Sequence, residues 1–222
     1  MIKLKSLLQE HTDSRPDPSL DAHILQNNVV TISDWLYHGT PYDGLQSMLV
    51  EGIHGTEHGE VAEYDTLSTS FNNEVLDYFS EGEGTTGLQF QVKNAKVVVL
   101  DNILAFLVTQ LPGSGIGLEI DNEEEFENFC QKFNVPISNW KKTPCLPYNY
   151  LSSLGVDAFM FEYVLKNYQR GHLPFRDESE VCFIGKQGMA LLNKSVTGIW
   201  VDGEEFEPSQ KQEALQMIQR KI

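Results

Sequence analysis

The chain of 222 residues carries 32 acidic side chains against 16 Lys and Arg, a formal net charge of −16, and 41% of its residues are hydrophobic. This length and apolar content are enough for a real core in one large domain or two small ones. Such a negative charge repels nucleic-acid phosphate and anionic lipid, and therefore argues against nucleic-acid and membrane partners. The 3 cysteines are too few and too scattered for a disulfide framework or a zinc ribbon.

The first 28 residues are predicted to form an N-terminal segment separate from the main domain. Ile2, Leu4, Leu7 and Leu8 lie on one side of a short amphipathic helix, and two prolines among polar residues then indicate a linker. The apolar part is too short for a signal peptide, and no stretch reaches the roughly 18 apolar residues of a membrane-spanning helix. We therefore expect a soluble, cytoplasmic protein.

Apolar periodicity, with glycine and proline at the breaks, divides the rest of the chain into short strands and helices. The predicted strands cover residues 32–38, 66–71, 156–163, 179–185 and 196–201, and residues 87–101 are predicted to form a β-hairpin. The predicted helices cover residues 42–52, 72–82, 122–133, 148–155 and 209–222. Residues 54–65 and 164–178 are polar, which predicts loops.

Many strands with irregular helices between them are typical of an α+β domain and not of a doubly wound sheet. The sequence therefore predicts a single α+β domain over residues 29–222. Within it the periodicity weakens from residue 101 to residue 145, around a glycine-rich and an acidic stretch, so we expect an insertion or elaboration there.

Most of the familiar site motifs are absent or incomplete. His54 and His58 have a spacing that binds metals on a helix, but they lie in a glycine-containing loop with no obvious third ligand, so no metal is expected. The glycine-rich stretch 113–117 lacks the Lys-Ser/Thr ending of a phosphate-binding loop. No G-x-S-x-G elbow is present, so a serine hydrolase is not supported.

Three short segments are more informative together than apart. The sequence YHGT ends one predicted strand, LSTSF ends another and leads into a helix, and ESEV opens a late strand. Each has an ordinary structural explanation. His38 could be a core histidine, Ser68 to Ser70 could be strand hydroxyls, and Glu180 could be a surface carboxylate.

The order of these segments resembles the ADP-ribosyltransferase superfamily. LYHGT is similar to the first motif of the poly(ADP-ribose) polymerase and diphtheria-toxin branch, and LSTSFNNEVLDYF to the Ser-Thr-Ser motif of the arginine-specific branch. ESEVCFIG fits both branches, and the resemblance spans residues 33 to 192. It implies an ADP-ribosyltransferase-like fold of two packed, mostly antiparallel β-sheets with flanking helices. It also implies NAD as co-substrate and no metal.

The resemblance assigns a role to each matching residue. His38 would hydrogen-bond a ribose hydroxyl of NAD, and Gly39 would hold the nicotinamide carboxamide through its backbone, which only glycine lets come close. Ser68 would orient the catalytic glutamate, and Tyr78 or Phe71 would stack on nicotinamide. The full NAD-binding set implied in this way is His38, Gly39, Thr40, Ser68, Thr69, Ser70, Phe71 and Tyr78.

Glu180 would be the catalytic carboxylate, and a physical argument supports this role. Breaking the nicotinamide–ribose bond develops positive charge on the sugar, which a fixed carboxylate stabilises more in the transition state than in the ground state. Glu178 points to the same face of the strand as Glu180, and the resemblance implies that it activates an arginine acceptor. The loop before it would recognise the acceptor through Arg170, His172, Phe175 and Arg176.

The mixture of branch motifs leaves several functions open. The expected activity is mono-ADP-ribosylation of a protein, and the alternatives are NAD glycohydrolysis or an inactive fold member that binds a partner. An RNA 2′-phosphotransferase shares the His-Gly motif, but the charge of −16 argues against RNA binding. The N-terminus also resembles leaders of proteins packaged by tailed phages, cleaved after a Leu-x-Glu such as residues 8–10, which would imply a virion protein acting in the host cytoplasm.

Overall fold

The computed structural model describes residues 17–54, 66–80, 84–109, 122–135, 146, 149–173 and 179–222. Its strands are β1 (Val29–Ile32), β2 (Trp35–Gly39), β3 (Thr66–Ser70), β4 (Gly87–Gln91), β5 (Ala95–Leu100), β6 (Ala158–Phe161), β7 (Glu180–Ile184), β8 (Val196–Val201) and β9 (Glu204–Phe206). Its helices are α1 (Pro18–Asn27), α2 (Tyr42–Glu51), α3 (Val75–Tyr78), α4 (Asn102–Thr109), α5 (Glu123–Lys132), α6 (Asn149–Ser153), α7 (Glu162–Gln169), α8 (Gly185–Ser195) and α9 (Lys211–Gln219), the last preceded by a 3₁₀ turn at Pro208–Gln210.

The strands form one sheet in the order β1-β5-β6-β7-β3-β2-β4-β8-β9. Only the β5–β6 pair is parallel, since every other neighbouring pair in the described sheet is antiparallel. The fold is therefore mixed α and β with a mostly antiparallel sheet, as the sequence predicts.

The strand pairing within the sheet is shortest between β2 and β3. That pair has a single registered position, Tyr37 opposite Ser70, whereas β3 and β7 are in register from Thr66–Ile184 to Ser70–Glu180. This junction separates a first half-sheet, β1-β5-β6-β7-β3, from a second half-sheet, β2-β4-β8-β9. The sequence predicts two packed sheets; the backbone instead joins all the strands into one sheet with a narrow junction.

The predicted hairpin over residues 87–101 is wrong, although both of its strands exist. β4 pairs with β2 and β8, and β5 pairs with β1 and β6, so the two strands belong to different half-sheets. The chain bends between them at Asn94, whose φ is 56°, and the Asn94 N–H donates to Ser33 Oγ over 2.8 Å. The β1–β2 connection bends beside it. A two-stranded ribbon therefore crosses from one half-sheet to the other.

Two apolar clusters hold the sheet in place. The first includes inward-facing side chains of both half-sheets, such as Leu36 and Phe90 in one and Phe183 in the other, together with helices α2 and α9. The second lies on the opposite face of the first half-sheet and includes Val98 and Leu100. Helices α1, α4, α5 and α6 cover that face. Strands β5, β6 and β7, in the middle of the first half-sheet, are thus covered on both faces.

The helical layer differs from the sequence prediction at four places. Residues 162–169, predicted partly as strand and partly as loop, form α7, and α8 was not predicted at all. Helix α1 lies within the 28 residues assigned to a separate segment, yet Leu20 and Ile24 are fully buried in the second cluster. Residues 18–27 therefore belong to the main domain. Likewise, α4 and α5 of the proposed insertion pack into that cluster and are part of the core.

Among the described residues, the helices are all too short or too polar to cross a membrane.

Candidate functional site

The three motif segments lie on neighbouring strands at the centre of the sheet. β3 pairs with β7 on one side and with β2 on the other. Because the β3–β7 pair is antiparallel, the end of β3 meets the start of β7, and Ser70 at that end also lies opposite Tyr37, the neighbour of His38 in β2. The structure therefore brings the His-Gly-Thr, Ser-Thr-Ser and Glu180 segments to one region, beside the narrow junction.

His38 connects the two half-sheets through its side chain. Its Nδ1 lies 2.7 Å from the Ser68 carbonyl oxygen, and a carbonyl only accepts, so Nδ1–H is the donor. The contact lies just beyond Tyr37–Ser70, the registered pair that joins β2 to β3. The imidazole thus links the strands where their registered pairing ends.

Gly39 has a packing reason to be glycine. A Cβ atom at this position would lie 1.9 Å from the Val75 carbonyl oxygen of α3. Its neighbour across the sheet, Gly87, has φ of +152°, and a Cβ there would lie 2.0 Å from the His38 carbonyl oxygen. The family resemblance implies that a ligand approaches the backbone at this glycine. The structure shows that close approach by α3 already requires it.

Thr40 and Thr69 are both buried, and each makes a hydrogen bond that connects two parts of the fold. The Thr40 N–H donates to the Thr86 carbonyl over 3.2 Å, at the start of α2. Thr69 Oγ1 donates to the Val181 carbonyl over 2.8 Å, which joins β3 to β7. Neither hydroxyl lies on an exposed surface, since the two residues are 8% and 3% exposed.

Ser70, and not Ser68, lies directly opposite Glu180 on β7. Ser68 is opposite Cys182, two residues further along. Residues opposite each other in antiparallel strands share a face, so Ser70 and Glu180 project to the same side of the sheet. In this register Ser70 is better placed than Ser68 for the orienting role that the resemblance implies.

The row that contains Glu180 continues across the junction. Ser70 is opposite Tyr37, which is opposite Gln89 on β4. Tyr37 is half-buried, and burial raises the pKa of its phenol, with Asp34 and Glu205 adding to the effect. Tyr37 was not among the predicted site residues. Its place beside Ser70 depends on the register between β2 and β3, which no local pattern in the sequence indicates.

The two predicted stacking aromatics differ in accessibility. Phe71 is 6% exposed and stacks on Tyr168 of α7, with ring centroids 4.5 Å apart. Tyr78, at the end of α3, is 48% exposed and makes an edge contact with Phe79, whose ring is also largely exposed. Phe71 is therefore a packed core residue, and Tyr78 is the aromatic that a ligand could reach.

The predicted acceptor-recognition loop, residues 164–178 and here called the acceptor loop, is described over residues 164–173. Arg170 follows α7 and His172 donates its N–H to the Asn167 carbonyl over 3.0 Å, and both side chains are exposed. Phe175, Arg176 and Glu178 lie outside the described residues, so their predicted roles stay predictions. At the other end, Ser179 is fully buried; its hydroxyl, which sequence reasoning missed, lies 2.6 Å from that of Ser70.

Within the described residues, no group of three or more His, Cys, Asp or Glu side chains is arranged to hold a metal ion. The proposed pair His54 and His58 cannot be assessed as a pair, because His58 lies outside the described residues. His54 uses Nε2 to contact the Glu51 carbonyl over 2.7 Å. The described thiols, those of Cys130 and Cys182, are both buried.

No protein-family model, no curated protein and no solved structure matched this chain in the comparisons with known proteins. The motif residues and their positions in the fold therefore carry the information about function.

Proposed function

We propose that this protein is an NAD-dependent mono-ADP-ribosyltransferase with an ADP-ribosyltransferase-like fold, which transfers ADP-ribose to a protein acceptor and releases nicotinamide. The observation that carries the proposal is the adjacency of β2, β3 and β7. Segments separated by up to about two thirds of the chain, and selected only by their resemblance to three motifs of one family, lie side by side in the sheet. Such adjacency is what a shared site requires, and unrelated motif matches would not produce it in general.

Glu180 is the proposed catalytic residue. The reaction breaks the C–N bond between nicotinamide and ribose, and the bonding electron pair leaves with nicotinamide, which departs as a neutral molecule. Positive charge develops on the sugar, and the Glu180 carboxylate stabilises it. The acceptor then forms a bond to the same ribose carbon and loses a proton. Because the leaving group is neutral, the chemistry requires neither a metal nor a general acid.

The neighbouring groups supply the contacts that such a substrate needs. His38 offers an imidazole held on the Ser68 carbonyl, which suits a ribose hydroxyl. Ser70 lies opposite Glu180 and is positioned to orient it. Tyr78 offers an accessible ring for the nicotinamide, as aromatic faces stack on planar rings.

The acceptor is proposed to be a protein side chain, with arginine as the residue that Glu178 would activate. A net charge of −16 favours basic protein surfaces as partners and disfavours nucleic acid. This part of the proposal depends on the resemblance of ESEV to the Glu-x-Glu motif.

Labelling with NAD tests the proposed reaction. Wild-type protein is incubated with NAD that carries a label on its adenylate half, together with candidate host-cell lysate, and labelled proteins are identified by mass spectrometry. We expect Glu180→Gln to reduce labelling by about 100-fold or more, since one preorganised electrostatic group commonly contributes that much. Glu124→Gln makes the same charge change at an exposed position of α5. It should retain full activity and serves as the matched control.

Other outcomes would identify the alternatives. Nicotinamide release without any labelled protein would indicate an NAD glycohydrolase. Equal labelling by wild type and Glu180→Gln would overturn the catalytic assignment. No nicotinamide release and no binding of NAD would overturn both enzyme functions and favour a binding module.

A further inference from the structure

Three consecutive residues, the last of β3 and the two that follow it, contact both ends of the segment that joins α7 to β7. We call residues 70–72 the β3 turn. On the α7 side, the Phe71 ring stacks on Tyr168 at 4.5 Å, and Asn72 Nδ2 donates to the Leu173 carbonyl over 3.1 Å. The described start of the acceptor loop is therefore attached to the end of the Ser-Thr-Ser strand.

The β3 turn also holds the residue immediately before Glu180. The Phe71 N–H donates to the Ser179 carbonyl over 3.1 Å, and the hydroxyls of Ser70 and Ser179 lie 2.6 Å apart. Ser70 and Ser179 are almost completely buried, and the Asn72 N–H also donates to Ser70 Oγ over 3.0 Å. These contacts fix the point at which β7 begins.

Tyr168 attaches α7 to a second place beside the junction. Its hydroxyl donates to Asp34 Oδ2 over 2.7 Å, and Asp34 Oδ1 accepts from the N–H of Trp35 at the start of β2. The last turn of α7 is thus held between the start of β2, through Asp34, and the end of β3, through Phe71. Both attachments lie next to the proposed NAD site, but neither involves His38 or Glu180.

We propose that Asn72 and Tyr168 are positioning residues that determine transfer to a protein acceptor. They hold residues 168–173 against the β3 turn, whereas Ser179 holds Glu180. Attack by water needs no fixed surface beside the sugar, but attack by a protein side chain requires the acceptor to be held in one orientation. Weakening the attachment of residues 168–173 should therefore reduce ADP-ribose transfer to the acceptor and leave NAD cleavage intact. This inference rests on the proposed function for its enzymatic part and not for its structural part.

Two nearly isosteric substitutions test the two attachments separately. Asn72→Asp removes the Nδ2 donor to Leu173 and keeps Oδ1, which accepts from the Glu74 N–H over 2.8 Å. Tyr168→Phe removes the hydroxyl and keeps the ring that stacks on Phe71.

Each substitution has a matched control elsewhere in the fold. Asn27→Asp removes an amide donor to the His23 carbonyl on α1, and Tyr150→Phe removes a tyrosine hydroxyl that donates to Asp21. Both control bonds lie away from the motif strands, since they join residues of α1 and α6.

Hydrogen exchange provides the readout that does not need activity. The N–H groups of Arg170, Gly171 and His172 are hydrogen-bonded to residues of α7. We expect their exchange to become about 5-fold faster in Asn72→Asp and in Tyr168→Phe, because each loses one hydrogen bond that opposes local opening. The controls should leave these amides unchanged. Unchanged exchange in both test variants would overturn the attachment itself.

Enzyme assays then separate the two steps of the reaction. The acceptor KM should rise and the ratio of protein labelling to nicotinamide release should fall about 5-fold, with the KM for NAD unchanged. A parallel loss of labelling and nicotinamide release would overturn the selective role in transfer. If wild-type protein does not cleave NAD while exchange responds as expected, the proposed function fails and the attachment of residues 168–173 stands.

Discussion

The two half-sheets differ in how deeply they are buried. β5, in the first half-sheet, has the sequence AKVVVL and is buried at every position except Lys96. β4, in the second, has the sequence GLQFQ, and its two glutamines are only partly buried. The first half-sheet lies between two apolar clusters, whereas the second contributes only to the first cluster. The proposed site lies at the junction of the two half-sheets. The central strands of the first half-sheet are covered on both faces, and the second half-sheet is covered on one face.

This difference shows how a fold can combine rigidity with access. Glu180 begins a strand whose following residues are buried on both faces, so its backbone position is fixed by the core. Tyr37 lies on the partly open face of the second half-sheet, and both Tyr37 and His38 are only half-buried, so a ligand can reach them. A catalytic carboxylate needs the first property, and a substrate-binding strand needs the second.

The largest effect should follow from a cavity in the first half-sheet. Leu100→Ala removes a side chain that is 1% exposed and faces the helix-covered side. We expect the free energy of unfolding to fall by about 3 kcal/mol, as for other buried leucines. Denaturation by urea measures this change. A loss below about 1 kcal/mol would show that the helical layer does not bury this face as described.

Gly39→Ala tests what the glycine at the junction is for. The new Cβ would lie 1.9 Å from the Val75 carbonyl oxygen, so α3 has to move. We expect a loss of about 2 kcal/mol in the free energy of unfolding, which is typical of overpacking. Chemical denaturation and NAD titration on the same sample separate the two explanations. Unchanged stability with lost NAD affinity would contradict packing and support the ligand explanation.

Alkaline pH should weaken the attachment of α7. The hydrogen bond to Asp34 and burial raise the pKa of Tyr168 to about 12 from its ordinary value of 10.0. The folded state holds the phenolic proton more tightly, so this contribution is complete below pH 10.0 and is lost as pH rises toward 12. The melting temperature of wild type should exceed that of Tyr168→Phe at neutral pH, and the difference should shrink above pH 10.0. A constant difference would contradict the assignment.

The smallest effect should come from the partly open face of the second half-sheet. Gln91→Ala replaces a half-buried side chain at the end of β4. We expect a change of no more than about 0.5 kcal/mol in the free energy of unfolding, as for other substitutions away from the core. The same denaturation assay measures it. A loss as large as that of Leu100→Ala would mean that an unrecognised contact covers this face.

The strands were largely predictable from the sequence, but their neighbours were not. The apolar run of β5 and the alternation of β4 are local patterns, and both strands appear where predicted. Their pairing depends on a bend at Asn94 that sends the chain into the other half-sheet, and a short polar connection favours a hairpin when only the sequence is read. Helix α7 was missed because its polar residues hide the one buried side chain, Val164.

In the candidate site, too, the segments were predictable from the sequence and their contacts were not. Its segments were identified from residue type and order, and the structure brings the described ones together. Its contacts were not predictable, because Ser70 opposite Glu180 and Tyr168 against Asp34 depend on register and on distant parts of the chain. Phe71 shows why such contacts cannot be predicted from the sequence. An aromatic side chain that follows a motif strand can stack on a ligand or, as here, on another side chain.

Calorimetric titration with NAD tests the central claim most directly. The imidazoles of His38 and His54 each contact a main-chain carbonyl over 2.7 Å, so His54→Ala is a matched control for His38→Ala. We expect wild type and His54→Ala to bind NAD alike, and His38→Ala to bind about 10-fold more weakly after losing one ribose contact. No binding by wild type at millimolar NAD, or equal binding by all three proteins, would contradict a site built on β2, β3 and β7.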